Sequence, residues 1–512
     1  MGYLQNHRKT KLSAVVIVVI GLICLVVITP IVHHSKRGNE KGGVYNEAAN
    51  VNSTTTAPNS QSEVTSPEST STTASTTAST TTTTLTPTPT PQSPWIDPDT
   101  PTQFKTKSIG GQNFTLVFSD EFEQAGRTFA EGDDPNWTAV DLWYWATGDM
   151  EWYSPNAVST SDGSMKIRMT KEEINGHSYM SGMVQSWNKF CFTGGILEVN
   201  VSLPGSGNVP GFWPGIWTLG NLGRAGYGAT TDGTWPYTYD TCDAAVAVNQ
   251  SMPMNHNLGD QCSVQPGQRL NKCVCPGEDH PNPGVGRGAP EIDVFEVSVF
   301  NGEYGTASLS DQVAPFNFNP ANNDRFANKE YMKIYDPTAS INGYAGGSLQ
   351  QCVSAVARIP LDVYEGRAFQ TYSFEYVPGA EGYIIWRIND QDIWRLDAAA
   401  IGPDALSKTA QRLISAEPMS INMNFGMSHS WTWFDVDKLT FPSTMWIDYV
   451  RVYQLPDKIN TSCDPPDFPT AQYIKDHPKA YNTPTARTWK EAGYEFPKYS
   501  LEPTCFSQNV TN

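Results

Sequence analysis

Three carboxyl side chains fall within the six residues Glu291-Ile-Asp-Val-Phe-Glu296, interleaved with residues that favour extended backbone. Two glutamates about 5 to 5.5 Å apart on one face can cleave a glycosidic bond with retained stereochemistry, one attacking the anomeric carbon and the other protonating the leaving oxygen. A regular strand does not present them that way. Side chains alternate, so Glu291, Asp293 and Phe295 share one face and Glu296 falls with Ile292 and Val294 on the other. A carboxylate sent into the core that way is strongly disfavoured unless it is paired or neutralised. One extra residue at Val294-Phe295, a β-bulge, restores the parity and returns Glu296 to the side of Glu291 and Asp293. Asp293 would then hydrogen-bond a glutamate, and crowding three acids raises at least one pKa, keeping a proton available near neutrality. A solvated acidic edge strand is the competing reading, and it suits a lone Glu-x-Asp better than the complete pattern.

Such a strand needs a sheet around it. From Trp95 onward the chain is rich in aromatic, Gly and β-branched residues, with short alternating segments divided by turn residues and no sustained helical period. Segments 114–118, 165–169, 196–203, 355–359, 383–388, 420–425 and 445–453 read as strands, a density that predicts an all-β sandwich or barrel. Residues 220–290 are too long for an ordinary loop and read as a functional insertion. Within it the Gly-rich 220–228 lacks the Lys-Ser/Thr of a phosphate cradle and fits a cleft rim better. Residues 455–512 are Pro-rich and polar and read as an appendage on the sandwich, with a disulfide between Cys463 and Cys505 expected.

The N-terminal part has a different composition. Residues 12–32 carry no ionisable side chain and are long enough, at about 1.5 Å per helical residue, to cross a bilayer core of about 30 Å, so they read as a transmembrane helix after a short cytoplasmic tail, 1–11. Residues 33–94, dominated from 51 by Ser, Thr and Pro, read as an extended stalk. Basic residues flank the span on both sides, so charge leaves its orientation open. Sequons at Asn52, Asn113, Asn136, Asn200, Asn249, Asn460 and Asn509 place the C-terminal bulk in the secretory lumen or outside the cell. Apart from Cys24 in the span, the cysteines are Cys191, Cys242, Cys262, Cys273, Cys275, Cys352, Cys463 and Cys505, an even set suited to disulfides of open connectivity in an oxidising compartment. A net charge of −18 argues against a nucleic-acid partner.

The acidic hexapeptide resembles the bulged catalytic signature of glycoside hydrolase family 16, whose fold is a β-jelly roll. Residues 220–236, 275–281 and 286–291 are similar to the fungal transmembrane branch of that family associated with β-1,6-glucan synthesis, and 445–453 resembles the family's last strand. The resemblance runs from Trp95 to the C-terminus, with 95–454 as the sandwich. It implies Glu291 as nucleophile, Asp293 as its assisting acid and Glu296 as general acid/base. The partner it implies is a β-glucan; no cofactor or catalytic metal is expected, and a structural calcium, which some members hold, has no position legible in the sequence. Phe212-Trp-Pro-Gly-Ile-Trp217 resembles the family's tryptophan-proline strand, which makes Trp213 and Trp217 candidate sugar platforms, with Trp235, His429 and Trp431 beside them. For any one tryptophan, core packing is an equally good reading. Two functions follow: a membrane-anchored retaining hydrolase or transglycosylase of wall β-glucan, or a non-catalytic glucan-binding scaffold.

Overall fold

The extended segments pair into two large antiparallel sheets and a short parallel pair, Glu151–Tyr153 with Tyr179–Ser181, in a computed structural model of the chain, which describes residues 95–247, 266–300, 302–315, 328–344, 346, 349–404, 408–501 and 505. The expected membrane span and stalk, Cys262, and the sequons at Asn52, Asn249 and Asn509 lie outside these residues. Among those described, no helix is long and apolar enough to cross a membrane.

One sheet runs Ser340–Ile341, Gln351–Ile359, Tyr304–Val313, Glu291–Phe300, Trp213–Gly220, Met419–Gly426, Met183–Gln185 and Thr138–Ala139, so the acidic strand lies at its middle. The other is built round Ser443–Gln454, Gly195–Ser202 and Gln370–Val377, with Tyr383–Ile388 beyond them. Segments expected to be extended are so: 165–169 falls in Ser164–Met169 and 420–425 in Met419–Gly426. Together the two sheets form a jelly-roll-like β-sandwich. Ile292, Val294, Phe295 and Val297 point into its core with Tyr372, Phe374, Trp386 and Trp394 of the opposite sheet, and the Phe295 and Tyr372 rings lie 4.6 Å apart. Burying such side chains is the main stabilising contribution, about 25 cal/mol for each Å² of apolar surface removed from water.

Parity is broken where the acids require it. Asp293 pairs with Ser310 and Glu296 with Ser308, so Val294 and Phe295 together oppose Leu309 alone. On the other side Ile216 pairs with Phe295 and Trp217 with Asp293, which passes over Val294. Both bulged side chains enter the core, and Glu296 returns to the face of Asp293. A bulge disturbs the hydrogen-bond ladder, and here the opposite sheet supplies a donor: the buried Trp386 Nε1–H donates to the Asp293 carbonyl at 2.7 Å, while Thr218 Oγ1 donates to the Ile292 carbonyl at 3.0 Å. Replacing Trp386 by Phe is expected to leave the Asp293 carbonyl unsatisfied and to lower stability by about 1–3 kcal/mol, measured as a fall in the urea midpoint at unchanged slope.

The insertion and the C-terminal segment fold against each other. Leu222, Ala229 and Leu270 form an apolar cluster with Tyr473, Ile474, Tyr481 and Trp489. The Arg269 guanidinium lies 3.6 Å from the Trp489 ring centroid, and its Nη1–H donates to Tyr473 Oη at 2.7 Å. The expected Cys463–Cys505 disulfide does not form: Cys463 bonds Cys191 and Cys505 bonds Cys275, with a third bridge between Cys242 and Cys273. Packing explains the exchange. Residues just after the last strand run back along the sandwich, where Thr193 N–H donates to the Asn460 carbonyl, and this brings Cys463 to Cys191 with a Cα separation of 4.8 Å. Among the described residues Cys352 is buried and has no disulfide partner.

Candidate active site

The bulge gathers Glu291, Asp293 and Glu296 on one face of the central strand, with Asp293 buried and the two glutamates partly exposed. Each acid has its own donors. Trp235 Nε1–H donates to Glu291 Oε2 at 2.7 Å, and Trp213 Nε1–H to Glu296 Oε1 at 3.0 Å. Asp293 Oδ2 accepts from Ser310 Oγ at 2.8 Å and Gln312 Nε2 at 3.0 Å, and its carboxyl also hydrogen-bonds that of Glu291. A bond between two carboxyls needs a proton, so Glu291 and Asp293 share one.

Burial dominates the electrostatics. It pushes Asp293 up to about 6, against which its bonds to Gln312, Ser310 and Glu291 pull down. Glu291 rises well above the carboxylate range, through burial first and then the charges of Asp293 and Glu296; Glu296 rises through burial and the charge of Asp293. The trio therefore holds protons in the folded state that the unfolded chain has released. Native Asp293 keeps its proton from the ordinary carboxyl value of 3.8 up to about 6, so its contribution to stability is fully present below that window and is lost as pH rises through it. Asp293→Asn is expected to flatten the pH dependence of the urea midpoint across this window relative to wild type.

The other candidates divide by what they touch. Trp213 and Trp235 reach the acids. Trp431 lies face to face with Trp213, ring centroids 4.7 Å apart and planes within 1°, and donates from Nε1 to the Val297 carbonyl at 3.1 Å. Trp217 sits beside Asp293 in the strand register but is only 9% exposed, with its indole N–H committed to Asn424 Oδ1 at 2.8 Å, so little of its ring is open for stacking. His429 is exposed and stacked on Phe434 with centroids 4.3 Å apart. Of the described sequons, Asn113 is exposed and Asn136, Asn200 and Asn460 are partly buried; the Asn200 amide donates to Asp448 Oδ2 at 2.9 Å.

Sequence reasoning missed Ser310 and Gln312, although the alternation Ser308-x-Ser310-x-Gln312 is a signal that polar side chains share one face of the strand and meet something charged. It also missed Tyr144, which packs against the apolar cluster that includes Trp217, its ring edge-on to Tyr153 with centroids 6.4 Å apart, and whose hydroxyl is pushed up by burial and by the charge of Glu291.

A jelly-roll β-sandwich with a bulged triad of acids bonded by indole N–H groups is the class that fold and site define. Within that class the chain belongs to the β-glucan synthesis-associated SKN1/KRE6/Sbg1 family, which matches residues 1–505. KRE6 of Saccharomyces cerevisiae is 47% identical over 425 residues, covering 80% of this chain and 56% of that protein. SKN1 of Candida albicans is 47% identical over 413 residues, covering 79% and 54%. The chain thus spans about half the length of these relatives. Among solved structures, the catalytic domain of an endo-1,3-β-glucanase (laminarinase) from Thermotoga petrophila is similar at 18% identity and a TM-score of 0.39, covering 67% of this chain and 99% of that one.

Proposed function

We propose that this chain is a membrane-anchored retaining glycosidase or transglycosylase that acts on β-glucan of the fungal cell wall, with its sandwich on the luminal or extracellular side of a single-pass anchor. The observation that carries the reading is the bulge, which sets Glu291 and Glu296 on one face with a buried acid between them. Glu291, held by the Trp235 N–H, attacks the anomeric carbon and forms a glycosyl ester as the exocyclic C–O bond breaks. Glu296 gives its proton to the departing oxygen. It then takes one back from water or from a hydroxyl of a second glucan chain, whose oxygen displaces Glu291 and restores the β configuration. Asp293 holds the proton it shares with Glu291 and returns charge to that carboxylate as the ester opens. The relatives are named for β-glucan synthesis, which favours transfer to a glucan hydroxyl over hydrolysis, and the resemblance carried by residues 220–236, 275–281 and 286–291 favours β-1,6-glucan as the polymer built.

Product analysis on defined β-1,3- and β-1,6-gluco-oligosaccharides tests the reading. Longer and shorter products of retained configuration are expected from transfer, and shorter ones alone from hydrolysis. If no glucan gave a product while oligosaccharide binding survived replacement of both Glu291 and Glu296 by Gln, the chain would be a glucan-binding scaffold.

A further inference from the structure

A second pair of carboxyls lies outside the triad. Asp149 and Glu151 are both buried and hydrogen-bond each other, so a proton stands between them as well. Glu151 Oε1 accepts the Met427 N–H at 3.3 Å, and the Tyr153 hydroxyl lies within hydrogen-bond reach of the same carboxyl. Asp149 takes up the other end of a chain of bonds. Its Oδ1 accepts from Thr147 Oγ1 at 2.6 Å and its Oδ2 from Tyr153 Oη at 3.0 Å. Tyr153 Oη accepts from Asn424 Nδ2 at 3.1 Å, and Asn424 Oδ1 accepts from Trp217 Nε1 at 2.8 Å.

The chain of bonds ends in two rows of the central sheet that hold the acids. Asn424, Gly215 and Glu296 lie side by side across three strands, as do Asn422, Trp217 and Asp293. The first row is close-packed at its centre, since a Cβ at position 215 would come within 3.2 Å of Asn424 Oδ1 and press on the amide. We propose that the Asp149–Glu151 carboxyl pair is a positioning device for the acid-bearing face, holding Asn424 and Trp217 in place beside Glu296 and Asp293 through Tyr153. Tyr153 can donate to Asp149 only while that oxygen is an acceptor, and the shared proton keeps it one. Direction then passes along the chain. Tyr153 turns its lone pair to the Asn424 NH2, and the amide is fixed with its oxygen toward the indole. With Asn424 free to flip, the Trp217 N–H would lose its acceptor and the floor beside Glu296 would present the wrong group to a bound sugar.

This rests on the glycosidase reading, so its test includes a readout that needs no activity. The indole N–H resonance of Trp217, assigned by its absence in Trp217→Phe, reports the bond to Asn424 directly. Glu151→Ala is expected to shift that resonance and to lower kcat on gluco-oligosaccharides between about tenfold and about a hundredfold, the range a small misplacement of reacting groups produces, with KM changed much less. Glu151→Gln, whose amide can donate to Asp149 as the shared proton does, is expected to restore both the resonance and kcat. The proposal is overturned if Glu151→Ala leaves the resonance in place, or if Glu151→Gln is no better than Glu151→Ala in a protein of equal melting temperature. Should Glu151→Ala not fold, Glu151→Asp replaces it, a retracted carboxyl being expected to shift the resonance and an unmoved one overturning the idea. A wild-type protein with no activity would sink the glycosidase reading alone, because the resonance would still decide the positioning role.

Discussion

Glu291→Gln is expected to abolish turnover on gluco-oligosaccharides, by about 10⁴-fold or more, because losing a nucleophile removes the covalent route altogether. The amide is nearly isosteric and still accepts the Trp235 N–H, so the melting temperature should hold or rise as one of three crowded acids is replaced by a neutral group. Glu296→Gln should cost less, about 10²–10⁴-fold, the range for a general acid, and substrates with good leaving groups should recover most of the first step. External azide separates the roles. With Glu296→Ala it can enter only after the glycosyl ester forms, giving a β-glycosyl azide. With Glu291→Ala it can attack only from the vacated face, giving the α anomer. Product anomers, read by NMR, thus assign nucleophile and acid/base, and the opposite pairing would exchange the roles of the two glutamates.

What could be read from sequence at the site was a conflict of periods. Glu296 falls on the wrong face of a regular strand, a buried charge is costly, and one inserted residue removes the contradiction, so the bulge at Val294-Phe295 follows from the strand alone. The groups that hold the acids were not legible in the same way. Trp213 and Trp235 were read as sugar platforms because an indole offers a face, yet both use their N–H edge on a glutamate. That choice depends on how the neighbouring strand and the insertion return to the site, which no local pattern encodes. Ser310 and Gln312 show their alternation, but only the register names Asp293 as the group they face. Asp149, Glu151 and Asn424 meet across some 270 residues of chain, and a lone Asp or Asn in a sequence carries no trace of such a partner. The disulfides failed for a related reason. Cys463 and Cys505 are the two cysteines of the C-terminal segment, and nearness along the chain suggested a bond that the segment's path over two different surfaces prevents.

That path makes a buried ion pair the most sensitive point outside the acids. Arg287, fully buried four residues before Glu291, donates from Nε and Nη2 to the two carboxylate oxygens of Glu417 at 2.8 Å each, and from Nη1 to the Pro469 carbonyl at 2.8 Å. Glu417 Oε1 also accepts the Gly288 N–H at 3.0 Å, so one carboxylate ties the approach to the acid-bearing strand, the strand beginning at Met419 and the C-terminal segment together. Removing one partner leaves an uncompensated charge in the interior. Arg287→Leu is therefore expected to lower stability by about 3–5 kcal/mol, enough to leave much of the protein unfolded at growth temperature. Arg287→Lys should recover little, since an ammonium cannot make the two parallel bonds. The double variant Arg287→Leu/Glu417→Leu should recover a large part of the loss, because two apolar side chains leave no stranded charge, although the Gly288 N–H then lacks its acceptor. Urea titrations of the four proteins measure this coupling, and a double variant no more stable than Arg287→Leu would show that the pair acts through its bonds to Pro469 and Gly288 rather than through charge.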